Sequence, residues 1–218
     1  MKLSFTEENY LKTIFHLNHS PDENVSTNAI SEVLNTKAAS VTDMLKKLSD
    51  KKLVNYEKYQ GVTLTKDGEK QAITVIRKHR LWEVFLVEKL NFKWDEVHEI
   101  AEELEHICSE KLINRLDEFL EFPKKDPHGD PIPDKNGVLK SQELLPVSKL
   151  KVGDKGIISG VREHSVEFLK YLEKTGLILG ECLSITEIIT FDSSVMVRVK
   201  NHQQMISREV AKNLLIAL

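Results

Sequence analysis

The chain has 218 residues, 40% of them apolar and 30% charged, with a formal net charge of −3. That balance leaves ample core for one large domain or two to three small ones and reads as a soluble globular protein. No apolar run approaches the roughly 18 residues needed to span a bilayer, and MKLSFTEENY carries acids where a signal peptide has its apolar segment. Cys108 and Cys182 form no CxxC pair, so a disulfide framework or zinc knuckle has no support and the expectation is a cytoplasmic protein.

In chain order, 5–18 (FTEENYLKTIFHLN) sets Phe5, Tyr10, Ile14 and Leu17 at helical spacing behind Thr6 as N-cap, and HSPDEN reads as a turn. A short helix from Thr27 buries Ile30, Val33 and Leu34. After a break at Asn35–Thr36, KAASVTDMLKKLSDKK forms a second helix with Val41, Leu45 and Leu48 inward. Two short helices joined by a tight turn form a helix-turn-helix, whose second helix enters a major groove. LVNYEKYQGVTLT then alternates as two strands about Tyr59-Gln60-Gly61, a wing. Asp67 is expected to cap a long helix over 67–90, followed by helices at 95–107 and 109–121. FPKKDPHGDPIPDKNG, with four prolines and two glycines in sixteen residues, cannot continue a helix. Beyond it DKGIISGV, GECLSITEII, VMVRVK and QMISREVAKNLLIAL read as β-rich runs around one helix, SVEFLKYLEKTG, closed by Gly176. Short strands with one helix in about 70 residues suggest a small barrel.

Charge is unevenly distributed. Residues 37–60 hold six lysines against three acids, whereas 95–121 hold ten acids against Lys111 and Arg115. Such asymmetry suits nucleic acid in one region and cations in another. At the start of the second helix Lys37, Ala38, Ala39 and Ser40 allow close approach to bases, with Thr42 and Asp43 one turn on. Lys46, Lys47 and the wing's Lys58 suit phosphates. A helix pair used only for protein contacts is the plainer alternative. His98, Glu102, Glu105 and His106, at relative positions 0, 4, 7 and 8, fall within an arc of about 100° on a helix. The apolar residues of that stretch centre roughly 140° away. Crowded imidazoles and carboxylates shift one another's pKa values unless a cation binds. His79 and Glu83, four apart, form a weaker pair of the same kind, since such pairs are also common surface interactions. Nitrogen and carboxylate donors without a thiolate favour a hard or borderline metal.

The order of winged helix, KHRLWEVFL, VHEIAEELEH, PHGDPIP and small β domain resembles the diphtheria-toxin-repressor family of metal-dependent transcriptional regulators over essentially the whole chain. It looks closest to the manganese-transport regulators that keep an SH3-like domain. By position the resemblance implies an activating site of Glu102, Glu105 and His106, completed by Asn9, where manganese regulators usually have aspartate and iron regulators methionine. It implies a second site of His79, Glu83 and His98 with loop residues Asp126 and His128 and, from the small domain, Glu167. How His79 and His98 divide between the two sites is left open. Iron-type members carry cysteine at position 102, so Glu102 points to Mn²⁺ with Fe²⁺ as alternative, two ions per subunit.

The expectation is therefore a mainly α chain: a winged helix-turn-helix over 1–70, dimerisation and metal-binding helices over 71–124, a linker loop over 125–148 and an SH3-like barrel over 149–218. It would act as a homodimeric, metal-activated repressor on palindromic operators of metal-uptake genes, with no small-molecule substrate and no membrane contact. A metal-dependent hydrolase would need an open coordination position, a bound water and a general base in a pocket, and it leaves the winged helix unexplained. A DNA-binding protein with a merely structural metal is the other alternative.

Overall fold

A computed structural model describes residues 3–18, 24–58, 60–140 and 143–218. All of the HSPDEN turn except Asn24, and Tyr59 of the wing turn, lie outside the described residues. Chain contacts divide the protein into two compact units. One is Met1–His79 with Glu102–Lys111 and Pro133–Val138; the other is Arg80–Ala101 with Leu112–Ile132 and Leu139–Leu218.

The first unit opens with α1 (Phe5–Leu17). Its N-cap is Ser4, not Thr6: Ser4 Oγ accepts the Glu7 N–H, and the Glu7 carboxylate accepts the Ser4 N–H. That reciprocal box satisfies two of the donors a helix start leaves open. Helices α2 (Thr27–Val33) and α3 (Ala38–Asp50) follow, then the antiparallel wing of β1 (Val54–Glu57) and β2 (Gly61–Leu64), with Val54 opposite Leu64. Leu11, Ile14, Ile30, Val41, Leu45, Leu48 and Val62 are fully enclosed in one core. Each such side chain contributes about 1.5–3 kcal/mol of burial before entropy is counted. Val33 is exposed, although the sequence periodicity turns it inward. Helix α4 (Lys66–Leu90) begins after Thr65, whose hydroxyl caps the Gly68 N–H, the role expected of Asp67.

In the second unit, Leu81 and Val84 of α4 pack with Ile113 and Leu116 of α6 (Glu110–Phe119), Leu120 and Ile132. The helix between, α5, spans only His98–Leu104, so Glu105 and His106 lie in the turn beyond its end. The remaining strands are β3 (Leu145–Pro146), β4 (Lys155–Val161), β5 (Cys182–Ile188), β6 (Val195–Val199), β7 (His202–Ile206) and β8 (Leu214–Ala217). They form an antiparallel sheet in the order β3-β8-β4-β5-β6-β7. Its core includes Ile158, Leu183, Val197 and Ile216 together with Leu169 and Leu172 of α7 (Val166–Thr175), which ends on left-handed Gly176. QMISREVAKNLLIAL is not one β run. Ser207 caps a short helix, α8 (Arg208–Asn213), between β7 and β8. No helix among the described residues is long and apolar enough to cross a membrane.

Candidate metal centres and nucleic-acid interface

Helix α3 presents Lys37, Ala38, Ala39 and Ser40 to solvent while Val41, Leu45 and Leu48 face the core. Thr42 donates its hydroxyl to the Ala38 carbonyl, and exposed Asp43 pairs with Lys46 at 3.3 Å. Lys58 is exposed at the end of β1. Lys47 is engaged otherwise: with Lys51 it pairs with the buried carboxylate of Glu7, at 3.2 and 2.6 Å. Burial alone would raise the Glu7 pKa, but the bonds from Lys51, the Ser4 N–H and Lys47 overcome it and hold it at about 2. Glu7 thus ties α1 to the recognition helix.

The next residue along α1 faces a different group. Glu8 Oε2 lies 2.6 Å from His106 Nδ1, whose ring stacks on Phe5 at 4.5 Å. Asn9 keeps its Oδ1 buried without a hydrogen-bond partner. One turn on from Glu8, Lys12 Nζ sits 2.8 Å from both Glu105 oxygens and 3.4 Å from Glu102 Oε1. Glu105 is wholly enclosed and also meets His79 Nδ1 at 2.6 Å. Its burial works toward a raised pKa, but the His79 bond and the Lys12 charge prevail and lower it. Glu102 and Glu105 thus share the Lys12 ammonium, His79 joins them through Glu105, and Glu8 pairs with His106 and, at 3.8 Å, with the Lys78 ammonium. Carboxylates that already gather about a positive charge are a donor set suited to a hard cation.

A second cluster forms in the other unit. Glu83, Asp126 and His128 are all buried and each offers a ligand atom, all within 4.8 Å of one another. The His128 ring is oriented by the Trp94 carbonyl, which lies 2.8 Å from Nε2 and accepts its proton. Nδ1 is then the atom turned toward Glu83 at 3.7 Å. Fixing one ring nitrogen this way leaves the other as a donor to a metal. Half-exposed His98 reaches Glu83 Oε1 at 3.5 Å. Burial, then the charges of Glu83 and Asp130, push Asp126 up to about 7 against Arg80 and His128. Burial opposes protonation of His128, but Glu83 and Asp126 raise its pKa on balance. A divalent cation would relieve this crowding of carboxylates. Asp126 also shapes the loop: its Oδ1 accepts the N–H groups of His128 and Asp130, and Arg80 lies 3.4 Å from Oδ2.

The structure separates residues that helical arithmetic puts on one arc. His98 goes to Glu83, while Glu105 and His106 go to α1, because α5 ends at Leu104. Glu102 is half-exposed at the edge of the first group. Glu167 is exposed on α7; the small-domain side chain brought to His128 is instead His164, with ring centroids 4.9 Å apart. His164 Nε2 is buried without a hydrogen-bond partner, and burial lowers its pKa. Sequence reasoning missed Glu8, Lys12 and His164. None of the three carried a signal of its own: an acid and a lysine four apart on a helix have the spacing of an ordinary surface pair.

A winged helix beside clustered nitrogen and oxygen donors defines a DNA-binding protein that responds to metal. Residues 2–62 match the N-terminal DNA-binding domain of the iron-dependent repressors, 65–134 their metal-binding and dimerisation domain, and 145–218 the FeoA domain. An HTH-type transcriptional regulator of Methanocaldococcus jannaschii is 36% identical over 119 residues, covering 55% of this chain and 95% of that protein. The iron-dependent repressor IdeR of Mycobacterium tuberculosis is 35% identical over 130 residues, 59% of this chain and 55% of its own length. A manganese-dependent transcriptional repressor solved in complex with manganese superposes with a TM-score of 0.88 at 30% identity, over 96% of this chain and 98% of that one. The chain belongs to the diphtheria-toxin-repressor family of metal-dependent transcriptional repressors, with an SH3-like FeoA domain at its C-terminal end.

Proposed function

We propose that this repressor is a cytoplasmic homodimer without catalytic activity that binds palindromic operators of metal-uptake genes when loaded with Mn²⁺ at two sites per subunit. The observation that carries the reading is the enclosed Glu105 carboxylate, gathered with Glu102, Glu8 and His106 and with no thiolate among them. Oxygen and nitrogen donors of that kind suit Mn²⁺. Fe²⁺ is the second reading, supported by the name of the IdeR relative.

In the first site Glu102, Glu105 and His106 would hold the ion with Glu8 or Asn9 of α1. In the second, Glu83, His98, Asp126 and His128 would hold it, with His79 one turn before Glu83 on α4 as a further candidate. A divalent cation supplies the charge that lets these carboxylates stand together. The protein's part is to convert that into position. Glu8 carries α1 to His106, while Glu7, beside it, grips Lys47 of α3 and Lys51 at the C-cap of that helix. Fixing α1 therefore fixes the recognition helix, and in a dimer the spacing of two such helices must match the half-sites. Operator and metal favour the same arrangement, so each strengthens binding of the other.

The test is operator binding by the full chain, on duplexes selected in Mn²⁺, titrated anaerobically with Mn²⁺, Fe²⁺, Zn²⁺ and no metal. Binding should require metal and respond to Mn²⁺, and both Glu105→Gln and His106→Ala should abolish the response while leaving a folded dimer. Metal-independent binding, or a normal response in either variant, would overturn the assignment.

A further inference from the structure

We propose that Lys12 sets the metal threshold of the first site: its ammonium is a tethered cation that occupies the carboxylates and must be displaced before a divalent ion is held. The inference rests on reading Glu102, Glu105 and His106 as a metal site. Three oxygens lie around Nζ, the two of Glu105 at 2.8 Å and Oε1 of Glu102 at 3.4 Å. An ammonium carries three protons, one for each. These are the same two carboxylates that a metal would use, and two cations cannot share them at such distances.

Both partners are withdrawn from water. The Glu105 side chain has no exposure and that of Lys12 only 13%. A buried carboxylate left without a countercharge is costly, so the lysine stabilises the metal-free protein as well as blocking the site. Its four-carbon stem is flexible enough to carry the ammonium away when a stronger cation arrives. Because the amine is part of the chain, its effective concentration at the carboxylates is of order millimolar. Every divalent ion meets the same competitor, so the lysine raises the concentration each needs by one common factor.

The experiment follows free Mn²⁺ by electron paramagnetic resonance during titration of the full chain as wild type, Lys12→Met, Lys12→Arg and His106→Ala. The binding class lost in His106→Ala identifies the first site. If the ammonium holds the carboxylates about nine-tenths of the time, Lys12→Met lowers the apparent Kd of that class about tenfold. Lys12→Arg, which keeps the charge, stays at or above the wild-type value. An unchanged or weaker class in Lys12→Met overturns the role of Lys12 while leaving the site intact. Identical titrations for wild type and His106→Ala overturn the site and this role together. Should Lys12→Met not fold without metal, thermal unfolding of Lys12→Gln with chelator and with Mn²⁺ gives the same answer. The Mn²⁺-induced rise in Tm is expected to exceed that of the wild type, and an equal or smaller rise refutes the proposal.

Discussion

At the scale of single residues, Glu7 is the most consequential side chain outside the candidate metal sites. One carboxylate accepts the Ser4 N–H and pairs with Lys47 of α3 and with Lys51 just past its end. Its pKa is about 2 in the folded chain against an ordinary 4.5. A depressed carboxylate contributes stability that is present above pH 4.5 and lost as pH falls through 2. Glu7→Gln is therefore expected to destabilise the protein by about 3 kcal/mol at neutral pH. The gap from wild type should close as pH drops from about 4.5 to 2. Chemical denaturation at several pH values measures it, and a gap independent of pH would show that the ion pairs contribute nothing. The legible part of the candidate site was the set Glu105, His106, Glu83 and His128, residue types whose spacing and motif context suit a ligand role. Glu8 and Lys12 looked like ordinary solvated charges of α1, since their partners lie far along the chain. His164 reaches His128 only through tertiary folding of the small domain.

At the scale of elements, the helix-turn-helix and wing follow directly from apolar periodicity, which changes from helical to alternating near Leu53. Boundaries were less legible. The stretch 95–107 keeps helical periodicity to its end, yet α5 stops at Leu104, with no glycine or proline to signal it. QMISREVAKNLLIAL hides a turn-and-a-half of helix because Ser207 is the sole start signal between two apolar runs. Within α3 the lysines divide by partner. Lys46 pairs only with exposed Asp43 among the contacts described, a pairing worth little. It is thus available to a phosphate. Lys46→Ala should lower the salt slope of DNA binding by about one on operator and unrelated duplex alike, leaving thermal stability unchanged. Lys47→Ala should also lower the Tm, because Glu7 loses a partner. Binding isotherms across a salt series decide the matter, and a wild-type slope in Lys46→Ala removes that residue from the interface.

At the scale of the whole molecule, the FeoA domain and the loop that carries His128 belong to one compact unit. The His128 carbonyl accepts the Val161 N–H at 3.1 Å, and Lys125 reaches the Ser159 carbonyl. Gly129 sits at φ +92°, and a Cβ there would stand 2.2 Å from the Ser159 oxygen. Both the left-handed backbone and the close approach require glycine. Gly129→Ala should cost about 2–3 kcal/mol and unseat His128. The Mn²⁺ stoichiometry should then fall by one ion per subunit while the class lost in His106→Ala survives. Thermal unfolding and metal counting test this together; full stoichiometry with unchanged Tm would mean that loop and β domain are held by other contacts. That two domains cooperate here is a fact of packing, and no local pattern in the sequence announces it.

The Ser4–Glu7 box has a consequence for how such a chain can change over time. Glu7 and Glu8 look in different directions because consecutive helical residues are about 100° apart. The box fixes where that rotation starts. Leu3, directly ahead of the box, is buried in the same core as Tyr10, Leu11 and Ile14, so the register is held by packing as well as by the cap. A single residue gained or lost between Glu7 and Lys12 rotates one set of charges away from its partners. Selection should therefore tolerate almost no change of length between Leu3 and Lys12, a pattern of forbidden gaps that follows from rotation and packing together.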